Sequence, residues 1–323
     1  MANTQFISAT NVVVRFPVNK QWTRTWIRPV NGVSFSLERG KVLSLVGESG
    51  SGKTTIGKTL VRILTPYSGD IRFQGENVTN IRGTRLIRYR DHVQMIFQDP
   101  FASLNPMRTV EQHLLFPVRR KIGQRGSVLM DHINHLLETV GLIPAADIRK
   151  KYPYELSGGQ RQRVAIARAL ATQPEFLVAD EPVSMLDVSI RAGILELLKK
   201  LRDQQQLAFL YITHDLASAR YIGDQIMVMY GGKVVEKASA KELVFHPAHP
   251  YTHLLLEATP GSAFKGPLPE TQMAAPDLSE QRRGCVFAPR CPYVMGMCRE
   301  EEPNLQEVSP QHWAACHLVN TGA

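Results

Sequence analysis

Cysteine is missing from the first 284 residues of this 323-residue chain; Cys285, Cys291, Cys298 and Cys316 are the only four. The body of the protein therefore has no thiol chemistry, and the role of four thiols at one end depends on what that body is. Long apolar runs are missing too. No segment approaches the roughly 18 to 20 apolar residues a membrane-spanning helix requires. The amino terminus, MANTQFISATNVVVRF, has no basic stretch leading into an apolar core, so it does not read as a signal peptide. The expectation is a soluble, cytoplasmic chain. There are no internal repeats.

Acidic residues are outnumbered, 29 Asp and Glu against 38 Lys and Arg, for a net charge of +9. That balance suits a nucleotide, a nucleic acid or an anionic membrane surface. The longest basic cluster, however, is Arg119-Arg120-Lys121, well short of a basic tail, so a solvated face is the favoured account of the excess. Hydrophobic residues make up 43% and charged residues 21%, an ordinary globular balance with length enough for two or three structural units.

Along the chain, residues 5–16 and 33–46 read as strands, with PVNKQWTRTWIRP between them as a long hairpin loop. TTIGKTLVRIL turns helical from Thr54 and is broken by TPYSGD, and IRFQGENV is a further strand and turn. Residues 109–171 read mainly as helices. EFLVAD and LAFLYITHD are short apolar strands flanking the helix VSIRAGILELLKKLRDQQ. Such alternation predicts a mostly parallel sheet with helices packed on it. Residues 260–284, rich in Pro, Gly and Ala, read as a linker into a small terminal module.

The stretch GESGSGKT, Gly47 to Thr54, follows the strand KVLSLV and opens a helix. Its glycines let backbone N–H groups turn inward around phosphate oxygens, and the helix N-terminus adds partial positive charge. Lys53 supplies a cation to the β- and γ-phosphates, and Thr54 a hydroxyl to Mg²⁺. Glu48, Ser49, Gly50, Ser51, Gly52 and Thr55 complete the expected cradle. EFLVADE buries a strand that delivers Asp180 to the Mg²⁺ shell, followed by Glu181 as a general base toward an attacking water. A second anion-binding surface comes from LSGGQ, Leu156, Ser157, Gly158, Gly159 and Gln160, where Ser157 caps a helix and the glycines leave its first N–H groups open.

With LSGGQ on the page, the chain resembles the ATP-binding subunits of ABC transporters over about residues 5–260. Gln98 in IFQDP matches the Q-loop, SMLD ending at Asp187 the D-loop, and His214 in ITHD the switch histidine. The resemblance implies a P-loop NTPase α/β fold (RecA-like) with an inserted helical subdomain: an ATPase domain over 1–245, its helical part at about 99–171, and an extension over 246–323. It implies Gln98 as a further Mg²⁺ and ATP contact, and an aromatic stacked on adenine, Phe16 first, with Trp22 and Trp26 competing. It also implies a head-to-tail pair in which ATP lies between one chain's Gly47–Thr54 loop and the other's Leu156–Gln160 segment.

FQDPFASLNPMRTV, ADEPVSMLDVSIRA and HPYTHLLLEATP are similar to the ATPases of peptide and nickel importers, with Met185 standing where that group usually has a small residue. The partners implied are two membrane permease subunits, a second ATPase chain, expected to be a different one as in such importers, and an extracytoplasmic substrate-binding protein. Peptides, nickel chelates and oligosaccharides all remain open as solutes. A soluble ABC protein acting on nucleic acid and an exporter ATPase are the competing readings; the first lacks a tandem module or coiled coil, and the three stretches argue against the second.

The cysteines are spaced C-x₅-C-x₆-C-x₁₇-C within a module over 284–318. Zinc sites usually show a C-x₂₋₄-C pair, which is missing here. Four thiolates on Pro- and Gly-bearing turns suit a larger core such as a [4Fe–4S] cluster, which some members of the resembling group hold at matching cysteines. Zinc and four unligated thiols are the alternatives, and in each case the module is expected to be structural and separate from the ATP site.

Overall fold

The computed structural model describes residues 5–20, 23–258, 276–279 and 283–320. The chain divides into two compact units: Met1–Glu38, Val42–Asn80 and Tyr211–Ala323 form the first, Arg39–Lys41 and Ile81–Leu210 the second.

The first unit opens on an antiparallel pair, β1 (Ile7–Lys20) and β2 (Thr23–Leu37). Val12, Val14, Val30 and Val33 are buried along it. The described residues of the segment expected as a hairpin loop, 17–20 and 23–29, are strand instead, with Phe16 opposite Ile27 and Pro17 opposite Trp26. Its prolines are tolerated because β2 is an edge strand and Pro17 lies beyond the part of β1 that pairs on its other side. The run 33–46 expected as one strand is two: β2 ends at Leu37, and β3 (Val42–Val46) begins in a different sheet. After β3 come α1 (Lys53–Leu60), then β4 (Ser68–Phe73) against β1, and the short β5 (Glu76–Asn77).

The second unit contains α2 (Gly83–His92), β6 (Val93–Ile96), α3 (Pro100–Ser103), α4 (Val110–Ile122), α5 (Ser127–Thr139), α6 (Ala145–Ile148), α7 (Gly158–Leu170), β7 (Phe176–Asp180) and α8 (Val188–Gln205). Leu114, Val118, Ile133, Leu137, Val164 and Ile166 supply its helical core. Thr109 starts α4 with a capping box completed by Gln112. Arg119, Arg120 and Lys121 occupy the last turn of α4, exposed, where cations complement the helix dipole. The basic cluster of the sequence is thus accounted for locally. β6 and β7 pair in parallel.

β8 (Ala208–Thr213), buried throughout, carries the chain back into the first unit. There follow α9 (Leu216–Ile222), β9 (Gln225–Tyr230), β10 (Lys233–Ser239), α10 (Ala240–Phe245), α11 (Pro250–Glu257), α12 (Met297–Glu300), β11 (Gln306–Ser309) and β12 (His312–Ala314). β9 runs parallel to β3, but β10, β12 and β11 continue the sheet antiparallel. The sheet is therefore mixed, and part of its edge comes from the carboxy-terminal residues. Most of the stretch 260–284, expected as a linker, lies outside the described residues.

The terminal module shares the first unit's core. Phe287 is fully buried, with its ring 5.2 Å from Tyr230 and 5.4 Å from Tyr251. Glu236, also fully buried, accepts from the backbone N–H groups of Ala248 and His249 and meets His312 Nε2 at 2.7 Å. This carboxylate ties β10 both to the start of α11 and to β12. The small module expected at the end of the chain is built into the sheet and core.

Candidate active site

β3 places five buried residues ahead of the glycine loop, so the loop leaves a rigid strand. Two glycines are sterically required. A Cβ on Gly47 would lie 2.2 Å from the Met229 carbonyl oxygen, and one on Gly52, at φ 101°, would lie 1.8 Å from the Pro29 carbonyl oxygen. Only glycine fits where backbone passes so close. Gly52 also caps α1 in a left-handed conformation without a side chain in the way.

Lys53 is buried, and its ammonium donates to the carbonyl oxygens of Gly47 at 2.6 Å and Glu48 at 2.8 Å, and to Ser51 Oγ at 3.4 Å. The loop is braced from outside as well: Gly232 N–H donates to Ser51 O, Tyr251 Oη accepts from Glu48 N–H, and Arg290 Nη1 lies 2.7 Å from Glu48 Oε2. Ser49 and Gly50 are exposed at the tip, and Thr54 and Thr55 are half-buried on the first turn of α1. Tyr251 and Arg290 were not anticipated as neighbours of the loop.

In the second unit, the buried run Phe176–Asp180 carries Asp180 to the end of β7. Glu181 follows at φ 43°, a left-handed conformation that costs a non-glycine residue about 1 to 3 kcal/mol. Its backbone carbonyl accepts from Ser184 N–H and Oγ, which holds the turn. Gln98 Nε2 donates to Glu181 Oε2 at 3.1 Å. The register explains the meeting: Ile96 pairs with Ala179 across β6 and β7, and each of the two residues stands two positions further on.

Ser157 caps α7, its Oγ accepting from Gln160 N–H while Gln160 Oε1 accepts from Ser157 N–H. The N–H that the cap takes is that of Gln160. A Cβ on Gly159 would lie 2.7 Å from Ile190 Cγ2, whereas one on Gly158 would make only ordinary contact with Leu186, so the packing constraint falls on Gly159. Leu156 is buried, and Met185 and Asp187 are exposed at the start of α8. His214 is exposed on the turn after β8, in the first unit, beside Asp215, whose carboxylate caps α9. Among the aromatics, Phe16 is exposed and Trp26 has the Arg15 guanidinium 4.3 Å from its ring centre; Trp22 lies outside the described residues.

None of the four cysteines is in a disulfide; Cys298 and Cys316 are buried and Cys285 and Cys291 half-buried. Burial, followed by the proximity of the Cys316, Cys285 and Cys298 sulfurs, pushes the Cys291 thiol up to about 11. Burial raises the Cys316 thiol as well. Among the described residues no group of three or more His, Cys, Asp and Glu side chains is placed to hold a single metal ion. No helix among the described residues is long and apolar enough to cross a membrane.

Two family profiles match the chain: ABC transporter over residues 30–184, and oligopeptide/dipeptide transporter, C-terminal region, over residues 235–298. The oligopeptide transport ATP-binding protein AppF of Bacillus subtilis is 41% identical over 299 residues, covering 91% of this chain and 90% of that protein. A putative peptide import ATP-binding protein of Brucella ovis is 44% identical over 90% of this chain and 92% of its own length. The dipeptide transport ATP-binding protein DppF of Haemophilus influenzae is 38% identical over 98% of both. Among solved structures, the dimeric ATP-binding cassette MJ0796 in a post-hydrolysis state with ADP and Pi superposes with a TM-score of 0.65 at 27% identity, covering 72% of this chain and 98% of that one.

Proposed function

Because this chain belongs to the ATP-binding proteins of the oligopeptide and dipeptide ABC transporters, we propose that it hydrolyses ATP to energise import of peptides through a membrane permease. The observation that carries this reading is the presence on one chain of a glycine loop with a buried lysine and a terminal region typical of peptide transporters. The fold is a P-loop ATPase core with an inserted helical part and a cysteine-bearing extension.

Catalysis on this reading is positional and electrostatic. Lys53 exchanges its contacts with the loop carbonyls for the β- and γ-phosphate oxygens, and the N-terminal turn of α1 holds the phosphates. Asp180, the Thr54 hydroxyl and Gln98 offer oxygen donors of the kind that would hold Mg²⁺, which would supply positive charge at the phosphates. Glu181 takes a proton from the attacking water, with Gln98 orienting its carboxylate, and His214 bridges the water and the γ-phosphoryl. Phe16 is the adenine platform, since Arg15 already covers Trp26.

The signature residues Leu156–Gln160 and Asp187 serve the ATP held by a second ATPase chain, one that is a different gene product in this reading. The assembly then sits at the cytoplasmic face of the membrane on two permease subunits and takes solute from an extracytoplasmic binding protein. No nucleic acid is involved. The spacing C-x₅-C-x₆-C-x₁₇-C, which has no close pair, favours a [4Fe–4S] core over zinc in this reading. Such a group would lock the terminal turns.

Hydrolysis by the isolated chain should be slow and should rise more steeply than linearly with protein concentration. A fully active monomer by sedimentation would rule out the two-chain site.

A further inference from the structure

The cysteine module reaches the phosphate loop through one side chain. Arg290 ends the short 3₁₀ turn Ala288–Arg290, immediately before Cys291. Its side chain is 14% exposed, and its Nη1 donates to Glu48 Oε2 at 2.7 Å and to Tyr230 Oη at 3.4 Å. Glu48 is held at three further points: its N–H donates to Tyr251 Oη, and its carbonyl accepts from Lys53 Nζ and from Ser51 N–H.

The turn that presents Arg290 is itself fixed by the cysteine segment and by the core. Cys285 N–H donates to Cys298 O at 2.7 Å, Ala288 N–H to Cys285 O, Arg290 N–H to Phe287 O, and Cys291 N–H to Ala288 O. Phe287 in the same turn is buried against Tyr230 and Tyr251. A shift of the Cys285–Cys291 turn therefore moves the guanidinium relative to Glu48.

Charge gives the effect its sign. Glu48 is the one acidic residue of the loop Gly47–Thr54. Paired with Arg290, its carboxylate is neutralised and pulled toward the terminal module. Released, it is a free negative charge in a loop that must receive a triphosphate, and like charges there repel. A partly buried, charge-assisted pair is the strong form of such a contact.

We propose that Arg290 is a positioning residue for the phosphate loop, and that through its grip on Glu48 the Cys285–Cys291 turn sets the affinity of the chain for ATP. This rests on reading Gly47–Thr54 as the ATP site. The terminal cysteines then act on nucleotide binding as well as on the fold of their own module, and any group they hold is sensed at the phosphates.

The test is MgATP binding by calorimetry on the full-length protein. Arg290→Met should weaken binding roughly 5- to 10-fold, the lower part of the range for coupled sites, while Arg290→Lys keeps most of the affinity. In a Glu48→Gln background, Arg290→Met should have no further effect, because no carboxylate is left to neutralise. Cys285→Ala with Cys291→Ala should weaken binding in the Glu48 protein and not in the Glu48→Gln protein. A purely structural Arg290 would lower affinity equally in both backgrounds, which would overturn the proposal, as would an Arg290→Met protein that binds like wild type. Wild-type protein that binds no MgATP would instead overturn the reading of the loop.

Discussion

Gln98 and Glu181 meet side chain to side chain at 3.1 Å because they extend a parallel strand pair by the same two residues beyond Ile96 and Ala179. The contact puts an amide donor on the carboxylate proposed as the base. Glu181→Gln should retain MgATP binding and lower turnover by about 10²- to 10⁴-fold, the usual contribution of a positioned base. Gln98→Ala should lower turnover by less, since it frees the carboxylate without removing it. Steady-state hydrolysis with a parallel binding assay checks both, and near-normal hydrolysis by Glu181→Gln would remove Glu181 from the mechanism.

Lys53→Ala should lose nucleotide affinity rather than turnover alone. Each hydrogen bond to a charged group is worth about 1.5 to 3 kcal/mol, so losing the ammonium should weaken binding by ten-fold or more. Equilibrium binding of a fluorescent ATP analogue gives the number. Unaltered affinity would mean that the phosphates lie elsewhere.

Stability should fall below neutral pH through His249. Full burial is the main cause that lowers this imidazole to about 4 from its ordinary 6.5, and its ring nitrogen accepts from Tyr251 N–H at the start of α11. Between those values the unfolded chain binds a proton that the folded chain refuses, so this contribution is complete above about pH 6.5 and is lost as pH falls toward 4. His249→Asn, which keeps a capping acceptor, should flatten the slope of Tm against pH in that window relative to wild type. Identical slopes would contradict the assignment.

The cysteine reading predicts colour. Anaerobically purified protein should be brown and carry about four irons per chain, and Cys291→Ser should bleach it. Colourless protein with one zinc would give the site to zinc, and metal-free protein would leave four plain thiols.

Local signals were the legible ones. VSIRAGILELLKKLRDQQ forms α8 over the full stretch read as helix, and the glycine loop stands between its strand and its helix as expected. Both depend on periodicity or on backbone requirements within a few residues. The stretch read as a long hairpin loop continues the strands on both of its sides, and only the pairing, Pro17 opposite Trp26 among it, shows this. β11 and β12 are too short to show alternation, and pairing with β10 is what makes them strands. The bond from Arg290 to Glu48 spans 242 positions and leaves no periodic trace; its one hint was an arginine beside a cysteine.

The central claim, ATP-driven peptide import, is tested most directly by uptake. Membrane vesicles containing the cognate permease, its binding protein and this chain should accumulate a labelled oligopeptide when MgATP is supplied on the cytoplasmic side, and the same vesicles with Glu181→Gln should bind ATP yet accumulate none. Uptake at the wild-type rate with Glu181→Gln, or ATP hydrolysis that proceeds with no peptide moved, would contradict the account.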